Sequence, residues 1–219
     1  MRFPDRSKAG QLLAQKLAGY ANNPDVMVLA LPRGGVPVGF EVACALNVPL
    51  EIVVVRKLGV PNHEELAMGA IASGDVRVLN DDTIDWLQIP SSVIERVTKM
   101  EKTELERREL TYRGTAPPLD LAGKIVILVD DGIATGSTIR AAVAVVRARG
   151  PQRVVIAVPT APLSTAKELE NVADDFVAIV TAEVFVGVGQ WYDDFRQVSD
   201  EVTRELYESA RRRTVEKRS

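Results

Sequence analysis

From Val26 to Val180 one pattern recurs: a short, largely apolar run, a break, then apolar residues at helical spacing. The runs are Val26 to Leu31, Leu50 to Val55, Lys124 to Val129, Val154–Val158 and Phe176–Val180. Apolar runs without alternation predict strands covered on both faces. Helices are predicted over 7–20, 36–47, about 137–149, 163–171 and 200–213. The first rests on Leu12, Leu13, Leu17 and Tyr20, and Asn22-Asn23-Pro24 stops it. Leu66–Ala72 and Val76–Leu79 flank Ser73-Gly74-Asp75 and read as a hairpin. The stretch 91–112 reads as one long helix. Ser91 or Ser92 would cap it, Val93, Val97, Met100, Leu105 and Tyr112 give a partial apolar stripe, and Gly114 would end it. Glu95–Lys99, Glu104–Arg108 and Glu109–Arg113 are spaced as favourable i,i+4 pairs on it. Strands alternating with helices predict an α/β fold, a mostly parallel sheet with helices on both faces.

Composition sharpens this reading. A chain of 219 residues suits a single domain over 1–219, with a core of about 26–182, a Gly- and aromatic-rich lobe of about 183–198, and the 91–112 helix as an addition. Apolar residues make up 46% and aromatics only 5%, so the core must be built from Val, Ile, Leu and Ala, the palette of buried parallel strands. With 27 Lys+Arg against 30 Asp+Glu, the net charge of −3 supplies no field to draw in nucleic acid. The basic tail Arg211-Arg212-Arg213 with Lys217-Arg218 reads as a solvated helix end. Cys44, the single cysteine, reads as a small buried hydrophobe, and with His63 the only histidine a Cys/His zinc site is not expected. The N-terminus has no apolar signal core, and no run reaches the ~18 apolar residues of a membrane span. The expectation is a reducing, cytoplasmic setting with no membrane partner.

The sharpest chemistry lies in Val126-Ile127-Leu128-Val129-Asp130-Asp131-Gly132-Ile133-Ala134-Thr135-Gly136-Ser137-Thr138. It is a buried strand, two carboxylates at its C-terminal end, a tight loop and a hydroxyl-rich helix start. Open α/β sheets bind ligands outside the carboxyl ends of their strands. A helix N-terminus suits a phosphate, Gly136 admits close backbone approach, and Thr135, Ser137 and Thr138 add hydroxyls. Two adjacent carboxylates can accept hydrogen bonds from a vicinal diol. A ribose 5-phosphate satisfies both halves. The spacing is not that of a Walker A loop, and the alternative reading is an acidic strand end followed by an ordinary helix cap.

This segment resembles the diphosphoribosyl-binding motif of type I phosphoribosyltransferases. The resemblance implies that fold, with Asp130 and Asp131 holding the ribose hydroxyls and Ala134, Thr135, Gly136, Ser137 and Thr138 around the 5-phosphate. It implies transfer of the phosphoribosyl group from phosphoribosyl diphosphate to a nitrogenous base. Mg2+ would be held through ligand oxygens and water. Hypoxanthine-guanine members carry an Asp acid/base where this chain has Ala134, as adenine-type members do. A protein that binds the same ligand, or a nucleotide, without turnover is therefore a second reading.

Three further segments extend the resemblance. Leu31-Pro32-Arg33-Gly34-Gly35, a glycine turn whose amides and Arg33 could line an anion site, resembles the pyrophosphate loop. That loop often carries a non-proline cis peptide, expected here at Arg33–Gly34. Asp130, Asp131 and Arg33 would form the catalytic set, with Gly34 against the substrate. Arg56-Lys57 at a strand end suits pyrophosphate or is an ordinary charged strand end, and the family's mobile lid would follow over 58–65, with His63, Glu64 and Glu65. Val184 to Arg196 resembles the hood over the base, where Phe185 or Trp191 would stack, Arg196 would reach pyrophosphate and Asp193 would join the magnesium shell. Packing of a C-terminal lobe is the alternative. The opening Phe3-x-Asp5-Arg6-x-x-Ala9-Gly10 resembles a bacterial branch of phosphoribosyltransferase-domain proteins whose base is unassigned. A homodimer is compatible with this reading.

Overall fold

The computed structural model describes residues 1–216. Its centre is a five-stranded parallel sheet built from β1 (Val26–Ala30), β2 (Leu50–Ile52), β6 (Ile125–Val129), β7 (Arg153–Pro162) and β8 (Asp175–Ala182), in the order β2-β1-β6-β7-β8. Alternate residues feed two cores. Val26, Val28, Ala30, Ile127 and Val129 face α1 (Arg6–Lys16), α2 (Gly35–Leu46) and α7 (Asp200–Glu216). Leu29, Leu31, Val126, Leu128 and Ile156 face α5 (Ser137–Arg147) and α6 (Leu163–Leu169). Helices on both faces explain why the strands need no polar alternation. The described residues hold no helix long and apolar enough to cross a membrane.

Beside this sheet stands a second one, antiparallel: β3 (Val55–Val60), β4 (His63–Ala72) and β5 (Val76–Leu79) in order β3-β4-β5. The hairpin expected at 66–79 is its second half. The rest corrects the sequence reading. The run Leu50 to Val55 is not one strand; Val53 N–H still donates to Ala30 O (3.1 Å), and then the chain turns out of the parallel sheet. Arg56 and Lys57 therefore lie early on β3 and not at the end of a parallel strand. The predicted loop 58–65 is strand, a tight turn at Pro61-Asn62, and strand, with register shifts between Leu58 and Val60. A bulge supplies the bend that continuous alternation would not show.

The long helix forms as α4 (Ser91–Arg113), and Gly114 ends it at φ 56°. Its N-cap position is Pro90, without a side-chain cap, so neither Ser91 nor Ser92 caps it. Ile94, Leu105 and Tyr112 are its buried apolar residues. Met100 is 67% exposed, because the buried face runs through 94, 97, 101, 105 and 112 and residue 100 falls off it. The pairs Glu104–Arg108 (2.6 Å) and Glu109–Arg113 (3.1 Å) form, while Glu95 reaches Arg77 (2.7 Å) across to β5. A short helix that the apolar pattern does not predict, α3 (Asp81–Trp86), precedes α4, and Asn80 caps α3 by accepting from Thr83 N–H at 3.1 Å. Cys44 is half-buried and not buried, its sulfur accepting from Arg213 (2.5 Å). Arg211 to Arg213 are exposed on α7, while Lys217 and Arg218 lie outside the described residues.

Candidate functional site

The site gathers at the carboxyl ends of β1 and β6, neighbours in the sheet. β6 delivers Asp130 and Asp131 into a half-buried position just beyond the core. Asp130 accepts from the N–H of Asp131 at 2.8 Å. Burial pushes the Asp130 carboxyl well above the ordinary carboxylate range, and the adjacent Asp131 charge adds to that. Asp131 is also raised by burial, against the opposing pull of Arg6. Two acids largely shielded from solvent are poised for hydrogen-bonded polar partners rather than for packing.

After the acids, Ile133 N–H donates to Thr160 O (2.9 Å), tying the loop to β7. Gly136 then takes φ 76° as the N-cap of α5, where a side chain would be strained and would meet Arg140 and Thr165. The first-turn N–H groups of α5 have no helical acceptor, an arrangement that suits an anion. Ala134, Thr135 and Thr138 are exposed here and Ser137 is half-buried, with Thr135 Oγ1 and Ser137 Oγ 3.2 Å apart. Arg140 donates to Thr135 O at 2.9 Å and pairs with Glu168, bracing the turn from α5 and α6.

At the end of β1 the loop 31–35 folds against the acids. The non-proline cis bond is Pro32–Arg33, one bond before the position expected. The reason is local: Arg33 O already accepts from Val36 N–H (3.1 Å) and Gly34 has helical angles, so Arg33–Gly34 belongs to the start of α2. A β-carbon on Gly34 would overlap the Asp131 carboxylate. Arg33 pairs with Asp200 of α7 (3.4 Å), which also accepts from the Tyr112 hydroxyl at 2.8 Å.

A cavity of about 800 Å3 opens beside this loop. It brings Arg56 and Lys57 of β3 together with Pro32 and Thr138, and α4 closes its far wall with Arg96 and Arg108. Arg56 is held by Glu101 of α4 at 2.6 Å. The cations thus reach the site by a different route than a strand end. They come from the second sheet, folded over the turn.

The lobe 183–198 packs against Phe3 and against Ile179 and Val180 of β8. Phe185 and Trp191 stack on each other with centroids 6.0 Å apart. Asp193 is on its exposed face, paired with Arg2 at 3.2 Å, and not beside the acid pair. Among the described residues no three His, Cys, Asp or Glu side chains cluster to hold a metal. Arg196 turns to Asp194 (2.5 Å) and solvent, and does not line the cavity that holds Arg56 and Lys57. Two residues without an assigned role enter the site instead. Tyr192 is buried and donates to Asp131 O at 2.6 Å, and Arg6 donates to Asp131 Oδ2 at 2.8 Å. The only signal for either in the sequence is its place in a segment that resembles the family.

Comparison with known proteins shows the family and the fold. A family model described as the phosphoribosyl transferase domain matches residues 5–195. A Mycobacterium tuberculosis protein carried under a phosphoribosyl transferase name is 46% identical over 199 residues, 91% of this chain and 45% of the relative. The chain thus spans about half the length of that curated relative. The bifunctional protein PyrR of Chloroflexus aurantiacus is 36% identical over 115 residues, 49% of this chain and 53% of its own. Among solved structures, TT1426 from Thermus thermophilus superposes with a TM-score of 0.87 at 40% identity, covering 94% of this chain and 98% of that one.

Proposed function

The chain belongs to the phosphoribosyl transferase family, and we propose that it transfers the 5-phosphoribosyl group of phosphoribosyl diphosphate to a nitrogenous base, in the manner of nucleotide salvage. The observation that carries this is the contiguity of two site halves: a half-buried acid pair at the end of β6 and, five residues on, the glycine-led helix start of α5. A diol and a phosphate on one ligand fit that spacing.

In the reaction the bond from ribose C1 to the diphosphate oxygen breaks and a bond from C1 to a base nitrogen forms, and the nitrogen's proton leaves to solvent. Positive charge develops on the ribose as the diphosphate departs. Asp130 and Asp131 would hold the ribose hydroxyls and Thr135 to Thr138 the 5-phosphate. Arg33, Arg56 and Lys57 would meet the diphosphate, whose charge they stabilise as it leaves. Ala134 supplies no proton acceptor, so the chain's part is positioning and charge stabilisation. Mg2+ belongs to this reading as a cation held by ligand oxygens and water, which suits a donor set without a three-residue cluster among the described residues. When bound it neutralises diphosphate charge. A single cytoplasmic domain, with dimerisation through a second copy, completes the proposal.

Pyrophosphate release, measured with phosphoribosyl diphosphate, Mg2+ and a panel of purines and pyrimidines, tests it. Base-dependent release supports turnover. Tight donor binding with no release for any base supports the second reading, a ligand-binding regulator, which the mutual stacking of Phe185 and Trp191 favours because each ring already has the other as its stacking partner.

A further inference from the structure

The opening motif of the chain is not absorbed by the proposed chemistry, yet each of its residues has a definite place. Phe3 is buried against Tyr192, donates through its N–H to Trp191 O (2.7 Å) and accepts from Asp193 N–H (2.8 Å), so the segment runs beside the hood as a strap. Asp5 caps α1 by accepting from Lys8 N–H at 2.7 Å. Ala9 packs with Phe3 and Tyr192, and Gly10 lets α1 approach α2, since a β-carbon there would lie 2.7 Å from Val38 O.

The strap's purpose is visible at Arg6, the first residue of α1. Its guanidinium lies 4.0 Å from the centroid of the Phe195 ring. Nη1 donates to Arg196 O (2.8 Å) and Nε to Asp131 Oδ2 (2.8 Å), and the side chain is only 11% exposed. The carboxylate it grips is 125 residues away in sequence. On the other side Gly34 crowds the same carboxylate, and Tyr192 fixes the backbone carbonyl of Asp131.

We propose that Arg6 is a positioning residue for ribose recognition: it holds Oδ2 of Asp131 and leaves Oδ1 to accept ribose hydroxyls alongside Asp130. The inference rests on the ribose-binding assignment of Asp130 and Asp131. The charged and titratable groups facing Asp131 are Asp130 from its own strand end, Arg6 from α1 and the Tyr192 phenol from the hood; Arg196 faces Asp194 instead. Arg6 is the cation among them. Its charge pulls the Asp131 carboxyl down against burial, so it keeps that group an acceptor at lower pH.

Calorimetry with ribose 5-phosphate and, separately, inorganic phosphate on the wild type, Arg6→Lys and Arg6→Gln over pH 5–8 tests this. For Arg6→Gln the expected result is about tenfold weaker ribose 5-phosphate binding, the strength of one lost charge-assisted restraint. The low-pH loss of binding should move to higher pH, and phosphate affinity should be unchanged. Arg6→Lys should restore the wild-type pH dependence and part of the affinity. An Arg6→Gln protein that matches the wild type in affinity and pH dependence overturns the proposal. So does one that loses phosphate and ribose 5-phosphate alike, which marks a role in folding only. A wild type that binds phosphate but gains nothing from the ribose overturns the ribose assignment itself.

Discussion

Gly34 sits against the carboxylate of Asp131 so closely that a β-carbon on it would lie 2.6 Å from Cγ of that carboxylate. The two residues belong to loops that follow adjacent parallel strands, and their contact joins the 31–35 loop to the acid pair. Gly34 has φ −60°, so its need for glycine is spatial and not conformational. Gly34→Ala should displace the Asp131 carboxylate without straining the backbone. Donor affinity should fall at least about tenfold, roughly 1.4 kcal/mol, with Arg6 also losing its partner. Calorimetry with phosphoribosyl diphosphate, set beside a melting curve, measures both.

The acid pair should show a trade between stability and binding. Burial raises the Asp130 carboxyl well above its ordinary range, so the folded protein holds that proton more tightly than the unfolded chain. The associated stability is present below the unfolded carboxyl pKa and is lost as pH rises toward the folded value. Above that window the ionised Asp130 is a burden on the fold. Asp130→Asn should therefore melt higher than the wild type at pH 7–8, by an amount of order 1 kcal/mol, with the gap closing at acid pH. The Asp130→Asn, Asp131→Asn double variant should stay folded and lose ribose 5-phosphate affinity. Unchanged affinity would remove the ribose assignment.

Tyr192 ties the hood to the acid loop through one hydrogen bond to Asp131 O at 2.6 Å. Tyr192→Phe leaves that carbonyl short of a donor in a buried setting. The expected cost is about 1–3 kcal/mol, read from the shift in denaturant midpoint at constant slope.

In the cavity lined by Pro32 and Thr138, Arg56 is held by Glu101 of α4 at 2.6 Å. An incoming diphosphate competes with that carboxylate for the guanidinium. Glu101→Gln should strengthen pyrophosphate binding a few-fold at low salt, with the gain shrinking as salt screens the exchange. A variant that binds pyrophosphate more weakly would show that Glu101 positions Arg56 and does not compete for it.

The base offers the remaining test. The stretch 154–166, which forms most of β7 and the start of α6, contains no Lys or Arg, and Ala134 offers no acid beside it. A purine 6-oxo group buried there would lack a partner. Hypoxanthine and guanine should be poor acceptors beside other bases in steady-state rates at saturating donor and Mg2+. Turnover of either at rates comparable with the best base in the panel would refute this.

The parallel sheet and the 126–138 segment were legible in the sequence because their information is local. A buried strand announces itself by an unbroken apolar run, and acids, glycine and hydroxyls follow one another along a single strand, loop and helix start. Where partners are distant the sequence carried no such signal. The second sheet was half hidden, since the run Leu50 to Val55 does not mark where the chain leaves one sheet for the other. Arg33 meets Asp200, Arg56 meets Glu101 and Arg6 meets Asp131 across separations of 167, 45 and 125 residues. Each pairing depends on strand order and helix placement, which no spacing along the chain encodes. The sequence by itself determined the strand-ending acids and the glycine-led helix start; only the tertiary structure decided which counter-charges stand against them, because ion pairs follow distance in space and not position in the chain.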